Sequence, residues 1–163
     1  MNKLALTVLA TVAAFTSVAT SAQVRTEKNM SLALASDIAA NAVAACTAQG
    51  YNVTATVVDR AGTVRAQLRA DNAGPHTLEA SRAKAFTSAS AKNSTSAILE
   101  SVQKTPAAQF LPMIPGYLVV AGGVPVKSGN EVIGAVGVGG APGGHLDEQC
   151  INAALDKVKD KLQ

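Results

Sequence analysis

Apolar residues recur at three- and four-residue steps between Ser31 and Gln49, where Ala35, Ile38, Ala39, Ala42, Val43 and Cys46 form one stripe. That spacing predicts an amphipathic helix, and Gly50 stands where a left-handed C-terminal cap is wanted. The period then changes. Asn52–Asp59 is β-branched and alternating, and Thr63–Ala70 sets Val64, Ala66 and Leu68 against Thr63, Arg65, Gln67 and Arg69. Two alternating runs about the short turn Arg60–Gly62 predict a β-hairpin. Asp71–His76 is dense in turn formers and reads as a loop. Thr77 is placed to cap a second helix reaching to about Ser90, with Glu79 near its positive end. A third helix fits Thr95–Gln103, and residues 105–116, with Pro106, Pro112 and Pro115, form an irregular crossover.

Beyond the crossover, Tyr117–Ala121, Gly123–Lys127 and Glu131–Gly139 read as strands, the last two joined by the turn Ser128-Gly129-Asn130. Val132, Val136 and Val138 share one face of the final strand. The opposite face holds Ile133 but otherwise Ala135, Gly137 and Gly139, so another segment packs very close there. A loop over Ala141–Gly144 leads to a closing helix, Leu146–Leu162. Its first turn carries Asp147 and Glu148, and Lys157, Lys159 and Lys161 sit near its negative end. No βαβ alternation appears. The order predicts an α/β chain of the α+β kind, with a single antiparallel sheet of about five strands and helices packed on it. The first and last helices can then lie side by side, which brings Cys46 to Cys150.

The N-terminus changes the picture of where the domain begins. Met1-Asn2-Lys3, an apolar run from Leu4 to Phe15 and the small residues Thr16–Ala22 match a secretory signal peptide over residues 1–22. The apolar run falls short of the roughly 20 residues that a membrane span needs. Cleavage is expected after Ala22, with Ser17-Val18-Ala19 as the alternative exit. Residues 23–163 then make one domain, periplasmic or secreted. Lys and Arg number 14 against 11 Asp and Glu, and the basic residues are scattered. Nucleic-acid binding wants a clustered basic face, so that class is excluded, and no second apolar stretch offers a membrane span. The two cysteines are too far apart for a CxxC pair or a cysteine-rich zinc site. In an oxidising compartment they are either one structural disulfide or two buried thiols.

The remaining chemistry is sparse. The glycine cluster at 134–144 fails as a dinucleotide loop, because G-x-G-x-x-G counted from Gly137 meets Pro142 where glycine is needed. His76 and His145 each precede a helix inside a Gly/Pro loop, a place for capping or exposure that also lets a neutral imidazole act as a ligand. No G-x-S-x-G elbow and no cluster at metal-ligand spacing appears. On the second helix Lys84, Thr87, Ser88 and Ala91 share a face. With Arg69 at a strand end and His76 between them, that face makes either a polar-basic pocket for an anion or an ordinary solvated surface.

Several short motifs in order carry a resemblance. Val57-Val58-Asp59-Arg60-Ala61-Gly62, Arg69-Ala70-Asp71-Asn72-Ala73-Gly74-Pro75-His76-Thr77 and Lys84-Ala85-Phe86-Thr87 form one half of it. Gly122-Gly123-Val124-Pro125-Val126, Ile133–Gly140 and Asp147-Glu148 form the other. Together they resemble the small haem-binding proteins of the GlcG/HbpS type, over about Ser31 to Val158. The resemblance implies an antiparallel α/β fold, homo-oligomers, and haem or iron as ligand, and some members carry a haem-degrading label. It implies Thr87 as a haem-contacting residue, through the Lys84–Thr87 motif. Gly139-Gly140 departs from a frequent Ser-Gly pair, which removes a hydroxyl at that turn.

A haem needs an apolar slot, an axial ligand and cations for its propionates. Tyr51, Phe86, Phe110, Met113 and Tyr117 offer wall, His76 or Thr87 a ligand, and Arg69, Arg82 or Lys84 the cations. So few aromatics imply a shallow site on the surface or between subunits. The chain therefore reads as an exported haem-binding homo-oligomer, a binding protein sooner than an enzyme. The alternative is an enzyme or accessory factor acting on a small oxidised metabolite such as a 2-hydroxy acid, which rests only on the resembled family's including a protein of a glycolate operon.

Overall fold

Ser31 opens the first helix by accepting a hydrogen bond from the Leu34 amide on its hydroxyl, and α1 runs over Leu32–Thr47. Gly50, at φ +82°, turns the chain out of the helix as its position predicts. β1 (Thr54–Asp59) and β2 (Val64–Arg69) form the expected hairpin. Its turn is held by Asp59, whose carboxylate accepts from the amides of Ala61 and Thr63. α2 (His76–Ala91), α3 (Thr95–Lys104), β3 (Gly123–Ser128), β4 (Glu131–Gly139) and α4 (Gly144–Val158) follow. This computed structural model describes residues 23–163, so the signal segment read over residues 1–22 lies outside the described residues.

The four strands form one antiparallel sheet in the order β2-β1-β4-β3. The fifth expected strand, Tyr117–Ala121, does not form, and the physical reason is local. Its backbone donors are taken locally: Tyr117 N donates to Ile114 O, Leu118 N to Thr87 Oγ1 and, just beyond the segment, Gly122 N to Glu148 Oε1. Gly122, at φ +118°, then redirects the chain into β3. Two bulges also shift faces relative to strict alternation. In β2 the register pairs Val57 with Ala66 and Val58 with Val64, so Val64 leaves the face of Ala66 and Leu68. Between β3 and β4 the register passes over Ile133, which joins the main core beside Met30.

That core lies on one sheet face, beneath α1 and α4, and is wholly aliphatic at its centre. Ile38, Val53, Val57, Val136, Val138 and Ile151 are fully buried there. Cys46 and Cys150 meet in it as a disulfide, with Cα atoms 5.3 Å apart. α2 covers most of the other face, and the start of α3 touches β3 at its edge. Its inward side is polar and small: Thr77, Ser81, Lys84, Thr87 and Ser88 are all buried. The buried hydroxyls bond sheet hydroxyls, Thr77 to Thr54 at 2.6 Å and Ser81 to Thr56 at 2.7 Å, so no buried side-chain donor or acceptor among the described residues is left without a partner. Thr77 is therefore not the cap expected of it. Pro75 precedes the helix without any side-chain cap, and the Thr77 hydroxyl donates to Gly74 O one step inside.

The Ala135, Gly137 and Gly139 face is what lets α2 approach, which gives the close packing a partner within the same chain. That face is consumed inside the fold and offers nothing to a second subunit. A Cβ at Gly137 would stand 2.1 Å from Ser81 O and 2.5 Å from Ala85 N, both backbone atoms. Gly137→Ala should therefore lift α2 and cost about 3 kcal/mol, the upper end for overpacking. Thermal unfolding checks this, and a melting temperature equal to the parent's would contradict the packing described.

Candidate functional site

The structure divides the four residues that the sequence grouped into one pocket. Arg69 ends β2 exposed, with its guanidinium donating to Ala73 O across the loop. His76 is the first residue of α2 and also exposed, and its imidazole lies over Gly74. Lys84 and Thr87 lie elsewhere. They face the sheet and the crossover, so the shared helix face is neither an anion pocket nor a solvated surface. Eleven helical steps separate His76 from Thr87, about 16 Å along the axis, so the two side chains do not converge on one metal.

Lys84 is committed to an internal ion pair. Its Nζ donates to Asp147 Oδ2 at 2.8 Å and to Val138 O at 3.0 Å, with 6% of the lysine and 2% of the aspartate side chain exposed. Asp147 Oδ1 accepts from Ala141 N. Burial pushes the Asp147 carboxyl above the usual carboxylate range, against the opposing pull of Lys84. Thr87 is equally engaged: its hydroxyl donates to Ala83 O and accepts from Leu118 N, both at 2.8 Å. Both side chains are bonded within the fold and buried, so neither is presented to a ligand at the surface.

The expected aromatic wall is also divided. Tyr51 packs against the aliphatic core on the α1/α4 side of the sheet. Phe86 and Tyr117 meet edge to face on the α2 side, ring centroids 6.2 Å apart. Phe110 and Met113 project from the crossover, 62% and 76% exposed. The described residues enclose no pocket. They hold no group of three or more His, Cys, Asp or Glu placed to bind a metal, and no helix long and apolar enough to cross a membrane. Of the side chains the sequence offered for haem, Arg69 and His76 are exposed, as are Phe110 and Met113 in the crossover.

Residues 30–156 match the family model described as haem degrading protein HbpS-like. The chain belongs to this HbpS-like family. The likeness extends to solved structures over nearly their whole length. A doubly substituted HbpS of Streptomyces reticuli is 34% identical with a TM-score of 0.80, covering 93% of this chain and 99% of that one. A second HbpS structure is 36% identical at a TM-score of 0.78, covering 83% and 94%. The protein ORFY of Klebsiella pneumoniae is 30% identical at 0.77, covering 82% and 93%. A comparison with curated protein sequences gave no match.

Within this HbpS-like chain, sequence reasoning missed the bonding roles of Asp147 and Glu148, which it noted only in the first turn of a helix and as part of the family motif. Asp147 heads the buried stripe Asp147, Cys150, Ile151, Ala154 and Val158 of α4. An acidic residue on an apolar stripe, and a lysine on a stripe of small hydroxyls, were the available signals for a buried pair.

Proposed function

We propose that this chain is an exported haem-binding protein, acting as a homo-oligomer outside the cytoplasm in haem or iron handling. The observation that carries this reading is the family match over residues 30–156, together with 34% identity to a substituted HbpS over 99% of that chain. PduOC, a protein of the same fold, is known in complex with haem. The disulfide between Cys46 and Cys150 supports an oxidising compartment, and so supports export of the chain behind the leader read over residues 1–22.

A surface site for haem is supported by the engagement of Lys84 and Thr87 inside the fold. There Arg69 would hold a propionate and His76 would meet the iron. Bound haem supplies redox-active iron and a broad apolar face. The chain supplies charge, orientation and an imidazole lone pair. Lys84 and Thr87 act only by fixing the helix that presents His76.

Haemin titrations of the parent and single variants test this reading. Arg69→Ala should weaken binding about tenfold to a hundredfold with the Soret band unmoved, the scale of one charge-assisted hydrogen bond. His76→Ala should move the Soret band, since it touches the iron. If both variants bind haemin as the parent does, this loop is not the site.

A further inference from the structure

Removal of the leader after Ala22 makes Gln23 the first residue of the exported chain, and its surroundings leave that end free to react. Gln23 and Val24 are exposed, Val24 at 83%. The arm reaches the rest of the fold at Glu27, whose carboxylate pairs with Arg60 at 3.4 Å, and Arg25 pairs back onto Glu27 at 3.1 Å. Roughly 13 Å of extended chain therefore separates Gln23 from that anchor. Beyond Glu27 the arm is strapped down. Lys28 Nζ donates to Ser128 Oγ, and Asn29 Oδ1 accepts from Arg60 N. Met30 N donates to Ile133 O, and the Met30 side chain is buried in the main core.

We propose that Gln23 is a modification site, whose side-chain amide closes onto its own α-amine after export to give an N-terminal pyroglutamate. The inference rests on the export reading and on cleavage after Ala22, and is independent of whether haem is the ligand. In the step, the amine nitrogen attacks Cδ of the same residue. A new C–N bond closes a five-membered lactam and the Cδ–Nε2 bond breaks. One amine proton passes to the departing nitrogen and ammonia leaves, so no oxidant or co-reactant is needed. An exposed α-amine is neutral in part at neutral pH, which supplies the nucleophile. Both reacting groups belong to one residue, which gives them the high effective concentration of an intramolecular pair. The lactam carries neither the positive charge nor the free amine that an aminopeptidase grips. It thus guards the loose residues 23–26 and, behind them, the strap that holds Met30 in the core.

Intact mass and peptide mapping of the chain purified from the periplasm of an exporting bacterium test the site. The expected species runs from Gln23 to Gln163, is lighter by one ammonia, and has a first peptide that does not react with an amine-directed label. A chain from Gln23 to Gln163 at full mass, with a reactive amine, overturns the modification while leaving export intact. A chain that starts at Met1 or Thr20 overturns the cleavage reading and the modification with it. Gln23→Ala, exported in the same way, keeps its amine, so a broad-specificity aminopeptidase should shorten it toward Glu27 while the parent keeps its mass. Equal trimming of the two overturns the protective role.

Discussion

Lys84→Met should destabilise the fold by about 3–5 kcal/mol, because it strands Asp147 as a buried charge without its partner. The pair is almost wholly enclosed, so solvent does not screen the loss. The double variant Lys84→Met/Asp147→Leu should recover much of the deficit, since it removes the stranded charge together with its cause. The effect has a definite pH dependence. Asp147 binds its proton more tightly in the folded chain than an ordinary carboxyl does, because burial raises it further than Lys84 lowers it. A group shifted in that sense contributes stability that is fully present below its unfolded pKa and is lost as pH rises through the folded value. Removing Lys84 takes away the main lowering influence and moves the folded value further up. The deficit of Lys84→Met should therefore be smaller near about pH 5 than near about pH 8, where the stranded carboxylate is ionised. Urea unfolding of parent and variant at the two pH values reads this directly. A deficit under about 1 kcal/mol, or one that grows toward acid, would contradict the buried pair.

Loss of the disulfide should be comparably large. Cys46 and Cys150 are 104 residues apart, and closing a loop of that length removes about 4.7 kcal/mol of unfolded-chain entropy in the chain-entropy model. Cys46→Ala/Cys150→Ala should thus lower the melting temperature by roughly 15 °C for a domain of this size. Intact mass provides the covalent check, since oxidised protein should be two hydrogens lighter than reduced protein. Equal masses would remove the bridge from the account. A variant as stable as the parent would show that the unfolded chain gains little freedom from its loss.

The fold was legible where one period dominates. The α1 stripe, the β1–β2 hairpin and the close face of β4 all follow from spacing, and Cys46 meets Cys150 because α1 and α4 lie side by side as their order predicts. The misreadings come from side chains competing for backbone groups. Tyr117–Ala121 has the composition of a strand, but Thr87 and Glu148 hold the amides of Leu118 and Gly122. α2 misled for a related reason. Its buried face is rich in hydroxyls and contains a lysine, so it reads as wet, whereas the glycines of β4 and the threonines of β1 make a dry, bonded interface for it. The candidate site was half legible. Arg69 and His76 are exposed as loop and strand-end residues usually are, while the inward turn of Lys84 and Thr87 depended on the distant Asp147 and Leu118.

A titration of haemin into the purified mature protein tests whether this chain binds haem at its surface. A Soret band shifted from that of free haemin is expected, saturating at a fixed ratio of haem to chain. Thr87→Val, if folded, should give the same band position, because the Thr87 hydroxyl is engaged with Ala83 and Leu118 and not with the ligand. A spectrum that stays that of free haemin, or rises without saturating, would contradict haem binding. A band that moves in folded Thr87→Val would contradict the surface site and put the iron against the interior of α2.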